Sequence, residues 1–183
     1  MERMGSKGPS SWISRFMHLV EPGADVLDLA CGSGRHTKLF ATAGYQVTAV
    51  DVDVSQLGPI AQLEGVETLQ YDLESGAAWP FEDRRFGAVI VTNYLYRPML
   101  PILADSLRPD GVLLYETFAS GNERFGKPSN PDFLLHPGEL LAVFADRLTV
   151  TAFEHGIQMQ PRSAVVQRIC ATNSVDPARL QPR

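Results

Sequence analysis

The stretch Val26-Leu-Asp-Leu-Ala-Cys-Gly-Ser-Gly-Arg35 decides the reading of the fold. It is an apolar strand carrying one acid, Asp28, and it runs straight into a glycine-rich turn. A second apolar run, Val47-Thr-Ala-Val50, ends on Asp51. Gly32 and Gly34 let the backbone turn tightly and approach a ligand with no side chain in between. A strand, a Gly-x-Gly turn that opens a helix, and an acid at the tip of the next strand together describe a nucleoside-binding crevice.

Working outward, Ser10 or Ser11 caps a short amphipathic helix with Trp12, Ile13, Phe16 and Leu19 on its apolar side, ending near Pro22-Gly23. Strands are expected at about 25–30, 46–50, 66–71, 86–92 and 112–116, then at 147–153 and 164–171. Helices are expected at 35–43, 98–107 and from about Pro137, with a weaker one at 55–63 interrupted by Gly58-Pro59. Arg108-Pro-Asp-Gly111 reads as a turn. Strands alternate with helices to about residue 145, and two strands then follow in succession. That order predicts an α/β domain over 1–172, a doubly wound parallel sheet finished by an antiparallel hairpin. A polar tail follows at 173–183.

The bulk properties exclude several classes. With 183 residues, 44% hydrophobic and 20% charged, the chain fits one globular domain. A net charge of -5 with scattered Lys and Arg leaves no broad phosphate-binding face, so no nucleic-acid partner is expected and a small substrate is. The two cysteines, Cys31 and Cys170, form no CxxC pair or metal-ligand spacing, so no metal is expected. Met1 to Pro9 has no apolar signal core and no run approaches a membrane span, which predicts a cytoplasmic protein.

Thr117 to His136 breaks the rhythm, far exceeding the ~4–6 residues of a median connection. It follows the carboxyl end of a strand, the edge where open α/β sheets bind ligands, and is read as a substrate lid.

The turn also selects its nucleoside. The nicotinamide fingerprint needs a third small residue, which Gly32-Ser-Gly34-Arg-His-Thr37 lacks, and the P-loop Gly-Lys-Ser/Thr is missing too. Asp28 is a poor neighbour for a pyrophosphate and a good one for a cationic amino-acid group. A positively charged nucleoside without phosphate is S-adenosylmethionine, whose methyl-transfer product is S-adenosylhomocysteine.

V-L-D-L-A-C-G-S-G-R-H resembles the first motif of class I S-adenosylmethionine-dependent methyltransferases, with Ala30 where many members have a glycine. The similarity continues through A-V-D-V-D (49–53), Y-D-L-E (71–74), V-T-N-Y-L (91–95) and L-R-P-D-G-V-L-L-Y-E-T-F (107–118), and is nearest to small stand-alone bacterial methyltransferases of the tellurite-resistance type. The resemblance implies a seven-stranded sheet with an antiparallel final strand. It also implies that Asp28 and the backbone of Ala30, Cys31, Gly32 and Gly34 hold the methionine part. Asp51 would take the ribose hydroxyls, Val52 and Leu73 would flank the adenine, and Asp72 would accept from its amine. Asn93 and Tyr94 would line the methyl-transfer side.

Methyl transfer is an in-line displacement, so alignment matters more than acid–base chemistry. A base is needed only where the nucleophile keeps its proton at neutral pH; His136 is the best-placed candidate, with ordering of the loop as its expected role. Tyr96 and Tyr94 would orient a substrate or pack under the lid. Arg97 and Arg124 would bind an anionic acceptor or else stand solvated at the surface, and Glu116 would act as a base or hold the lid. The expected activity is methyl transfer to a small molecule by a monomer or weak homodimer. The rivals are the same chemistry on RNA or protein, and a protein that binds the cofactor without catalysis.

Overall fold

The computed structural model describes residues 8–180. Seven strands form one sheet in the order β3-β2-β1-β4-β5-β7-β6. They are β1 (Asp25–Leu29), β2 (Gln46–Asp51), β3 (Val66–Gln70), β4 (Phe86–Thr92), β5 (Leu107–Phe118), β6 (Thr149–Gln158) and β7 (Ala164–Thr172). The first five pair in parallel, and β7 runs antiparallel to both neighbours, β5 and β6. The expected doubly wound sheet with its reversed final strand is therefore the observed one.

The apolar strands sit at the centre because both of their faces are covered. All of β4 except its last residue is buried, as is β1 after its first. One face packs beneath α1 (Ser11–Phe16) and α2 (Arg35–Thr42) around Trp12, Phe40, Ile90 and Leu114. The other packs against α3 (Leu100–Asp105) and α4 (Glu139–Phe144) around Leu103, Tyr115 and Phe144. Each such large apolar side chain contributes ~1.5–3 kcal/mol by leaving water. β3 and β6, at the two edges, are more exposed.

α1 begins where the sequence places it. Ser10 Oγ accepts from the Trp12 N–H at 3.1 Å, and Trp12 Nε1–H donates to the Ile169 carbonyl at 3.3 Å, fastening the helix to β7. Other elements differ from expectation. The segment at 54–62 is a 3-10 helix broken at Gly58 (φ 51°, ψ −126°), because Pro59 supplies no N–H to continue a helix. Arg108-Pro-Asp-Gly111 does not precede β5 but bulges out of it. Leu107 stands opposite Phe86 and Val112 opposite Ala88, and Asn173 closes the bulge by bonding Asp110 and Gly111. Asn173 is thus tied into the domain, whereas the tail's end, 181–183, and the stretch 1–7 read for a signal core lie outside the described residues.

The long connection after β5 is anchored at both ends. Thr117 and Phe118 belong to β5, and Leu134 and Leu135 are buried. Asn122, also buried, accepts from the Val165 N–H (3.1 Å) and donates to the Pro128 carbonyl (2.9 Å). Its middle is the exposed part, with Phe125 and Phe133 on the surface.

Candidate active site

β1 lies between β2 and β4, so the chain leaves it toward one edge and later returns to its other side. The carboxyl ends of β1 and β4 flank this topological switch point, where open α/β sheets form a crevice. The glycine turn lines it, with Ala30, Gly32 and Gly34 all at positive φ (51°, 54° and 75°). The Gly32 N–H donates to Asp51 Oδ2 at 2.8 Å, and the Asp53 N–H donates to Oδ1 at 3.0 Å. One carboxylate thereby joins the turn to the tip of β2, with both oxygens fixed and each still able to accept another bond.

The two glycines serve different ends. A Cβ at Gly32 would meet nothing within 4 Å, so its missing side chain leaves open space above the turn. A Cβ at Gly34 would lie 2.4 Å from Leu57 Cδ2, so that glycine admits the 54–62 segment. Cys31 turns its side chain beneath the turn against Ala49 and Leu57, where burial pushes the thiol pKa up and leaves it a packing group.

Asp28 is buried under the same turn. Burial raises its pKa to about 6, opposed by the Thr37 hydroxyl donating at 2.6 Å and by the nearby Arg35. His36 is buried as well, and burial followed by Arg35 pushes its pKa down to about 3. Its Nε2 accepts from the Ser10 N–H at 3.0 Å, so the proton of the neutral ring sits on Nδ1, 3.3 Å from Thr92 Oγ1. His36 is a strut joining α1, α2 and β4.

The buried acid gives a pH prediction. A carboxyl with pKa about 6 in the fold and 3.8 ordinarily binds its proton more tightly when folded. Its contribution to stability is therefore full below pH ~4, falls as pH rises through 6, and stays low above. Asp28→Asn keeps an acceptor for Thr37 and removes the buried charge. Above pH 6 it should be more stable than the parent by ~3 kcal/mol, with the gain vanishing near pH 4. Urea unfolding at pH 4, 5.5 and 7.5 reads this directly. His36 shapes both curves alike, so the difference isolates Asp28, and a constant or inverted difference would refute the assignment.

Beyond Asp51, Val52 is 62% exposed, a bare apolar side chain at the rim of the crevice. The Tyr71 N–H donates to the Asp51 carbonyl at 2.9 Å and brings the tip of β3 alongside. There Asp72 accepts from the Glu74 N–H at 2.9 Å, and Leu73 packs at the edge of the core. A carboxylate fixed by backbone N–H groups, open space over Gly32 and an exposed Val52 fit a ribose and an adenine ring.

Next to the turn lies a cavity of about 640 Å³ on the α1 face of the sheet. Asn93, with φ 56°, and Arg35 line its side toward the crevice. Glu116 and Phe118 of β5 and Arg168 of β7 form its floor. Ser10 and Ser11 on one side and the 158–162 segment on another complete it. Arg168 Nε–H donates to Glu116, and its terminal nitrogens donate to Glu154 and Gln158.

Of the acceptor-side residues expected from sequence, the structure brings Asn93 and Glu116 to this cavity and leaves the others elsewhere. Tyr94 and Tyr96 pack against the core of the opposite sheet face, because the left-handed Asn93 redirects the chain. Burial, then the Glu74 carboxylate, raises the Tyr94 pKa, so its phenol stays protonated. Arg97 is spent on the long connection, pairing with Glu139 at 2.7 Å and donating to the Asp132 and Leu134 carbonyls. Arg124 donates to the Gly121 carbonyl at 3.1 Å within that connection. His136 is exposed and holds the loop through its backbone, whose carbonyl accepts from Gln167 Nε2–H at 2.7 Å. The 117–136 segment contributes only Phe118 to the lining.

Sequence reasoning missed Arg35, Arg162 and Arg168. Arg168 left a signal, a lone cation inside the apolar strand A-V-V-Q-R-I-C-A-T. Arg162 left none, since a polar residue in a turn is ordinary. Among the described residues no cluster of three His, Cys, Asp or Glu forms a metal site, and no helix is long and apolar enough to cross a membrane.

The sheet order and the turn give the chain the fold of class I methyltransferases. Residues 26–111 match the family described as methyltransferase domain. The ubiquinone biosynthesis O-methyltransferase of Burkholderia pseudomallei is 37% identical over 84 residues, which is 45% of this chain and 35% of that protein. The match thus spans about a third of that relative's length. Among solved structures, TehB from Haemophilus influenzae superposes with a TM-score of 0.73 at 16% identity, covering 91% of this chain and 63% of that one. The 1,6-didemethyltoxoflavin-N1-methyltransferase of Burkholderia thailandensis gives 0.64 at 22% identity, covering 88% and 75%. At those identities the likeness is one of fold.

Proposed function

We propose that the protein transfers a methyl group from S-adenosylmethionine to a small molecule. The observation that carries this reading is the Asp51 carboxylate, fixed by the Gly32 and Asp53 N–H groups, beside a cavity that reaches the same turn through Arg35 and Asn93. Asp51 holds the ribose hydroxyls, Val52 and Leu73 flank the adenine, and Asp72 accepts from its amine. The open backbone of Ala30 to Gly34 receives the methionine part, with the buried charge of Asp28 favouring its ammonium group. When bound, the cofactor supplies an electrophilic methyl group.

The chain's own task is alignment and exclusion of water. Asn93, held at the tip of β4 by its N–H to the Glu116 carbonyl (2.9 Å), stands between crevice and cavity. Glu116, committed to Arg168, is not a free base. The cavity therefore suits a nucleophile that is already deprotonated or loses its proton readily. Two of the similar proteins are named for small-molecule methylation, in ubiquinone biosynthesis and on a toxoflavin precursor, which supports a small acceptor here. The test is release of S-adenosylhomocysteine across a panel of thiols, phenols, carboxylates and amines. Turnover on at least one class is expected. Cofactor binding without turnover on any would favour a macromolecular acceptor or a non-catalytic role.

A further inference from the structure

The cavity's charge identifies a class of acceptor. Arg35, Arg162 and Arg168 line it against one carboxylate, Glu116, on a chain whose net charge is -5. Arg168 is neutralised by Glu116 and Glu154, and Glu154 is shared with Arg15. Neither Arg35 nor Arg162 forms an ion pair among the described residues, whereas Arg15, Arg84, Arg97, Arg108, Arg147 and Arg168 all do. Arg35 donates weakly to Thr92 Oγ1 at 3.4 Å, at the tip of β4. Arg162 lies over the Phe118 ring, its guanidinium carbon 5.2 Å from the ring centre.

A guanidinium laid on an aromatic face keeps its N–H edge available, the geometry that grips a carboxylate with two parallel bonds. Phe118, Val166 and Pro161 supply apolar wall around it. Asp28 and Glu116 answer the charge of Arg35 in part, which leaves Arg162 as the cation facing an acceptor and favours an anionic acceptor over a cationic or neutral one. We propose that the acceptor is an organic anion, an apolar body against Phe118 and Val166 whose carboxylate pairs with Arg162. This rests on the methyltransferase reading of the site, and Arg162 is proposed as a specificity residue for it.

The test uses binding, so that it does not depend on finding the true acceptor. The protein is saturated with S-adenosylhomocysteine, with calorimetry reporting that affinity, and is then titrated with phenylacetate and with phenylacetamide by NMR. Phenylacetate should bind at least tenfold more tightly than its neutral counterpart. Arg162→Gln should abolish the preference and Arg162→Lys should restore part of it, all with S-adenosylhomocysteine affinity unchanged. Equal binding of the two probes, no binding of phenylacetate, or a preference that survives Arg162→Gln would each overturn the anionic-acceptor inference while leaving the cofactor reading intact. Failure to bind S-adenosylhomocysteine at all would overturn the reading beneath it.

Discussion

Replacing Asp51 by alanine should weaken S-adenosylhomocysteine binding by two to three orders of magnitude while the domain stays folded. The carboxylate is held by two backbone N–H groups, at 2.8 Å from Gly32 and 3.0 Å from Asp53, and so is oriented before any ligand arrives. Hydrogen bonds to a charged acceptor contribute ~1.5–3 kcal/mol each. Two ribose hydroxyls sharing one carboxylate give roughly 3–4 kcal/mol, or ~100–1000-fold in affinity. The cost to stability is smaller, because Asp51 and its donors lie toward solvent and water replaces the lost acceptor. A fall of only ~2–6 °C in Tm is expected for a domain of this size. Calorimetry on the variant checks the first figure and thermal unfolding the second. Unchanged affinity would move the ribose away from β2.

Gly34→Ala should cause the largest loss of stability, and Gly32→Ala serves as its control. Both residues sit at positive φ, where a Cβ costs ~1–2 kcal/mol. Only at Gly34 does the new methyl also strike a neighbour, 2.4 Å from the fully buried Leu57. Overpacking of this kind adds ~1–3 kcal/mol. Gly34→Ala should therefore lose roughly 3 kcal/mol and ~6–12 °C in Tm, with cofactor affinity falling as the 54–62 segment is displaced. Gly32→Ala should lose only ~1–2 kcal/mol, yet bind the cofactor at least tenfold more weakly, since its methyl fills the space meant for ligand. Thermal melts paired with S-adenosylhomocysteine titrations separate the two. Equal destabilisation by both substitutions would contradict the division of labour assigned to them.

The sheet was legible because its strands are short apolar runs bounded by turn residues, and β4 appears with the bounds its F-G-A-V-I-V-T run suggests. The crevice was legible for a related reason: Gly32, Gly34 and Asp51 lie close to one another in the chain's own βαβ unit, so local sequence order carries their spatial order. The acceptor side was not. It is assembled from α1, α2, β5, β7 and the 158–162 segment, which meet only through the antiparallel insertion of β7 between β5 and β6. Arg97 and His136 drew attention as a cation and a base near strand tips. In the fold, Arg97 satisfies loop carbonyls, a role its charge does not announce, whereas His136 orders the loop as expected, but through its backbone rather than its ring. The bulge at Arg108–Gly111 was read as a plain turn because Pro and Gly signal a break without saying whether the strand resumes beyond it.

The most direct test of the central claim is an amide NMR titration of the protein with S-adenosylhomocysteine, and separately with NAD. Saturable shifts at Gly32, Asp53, Leu73 and Asn93, with no comparable response to NAD, are the expected result. If S-adenosylhomocysteine leaves these amides unmoved, or NAD moves the same set equally, the crevice between β1 and β4 is not the methyl-donor site.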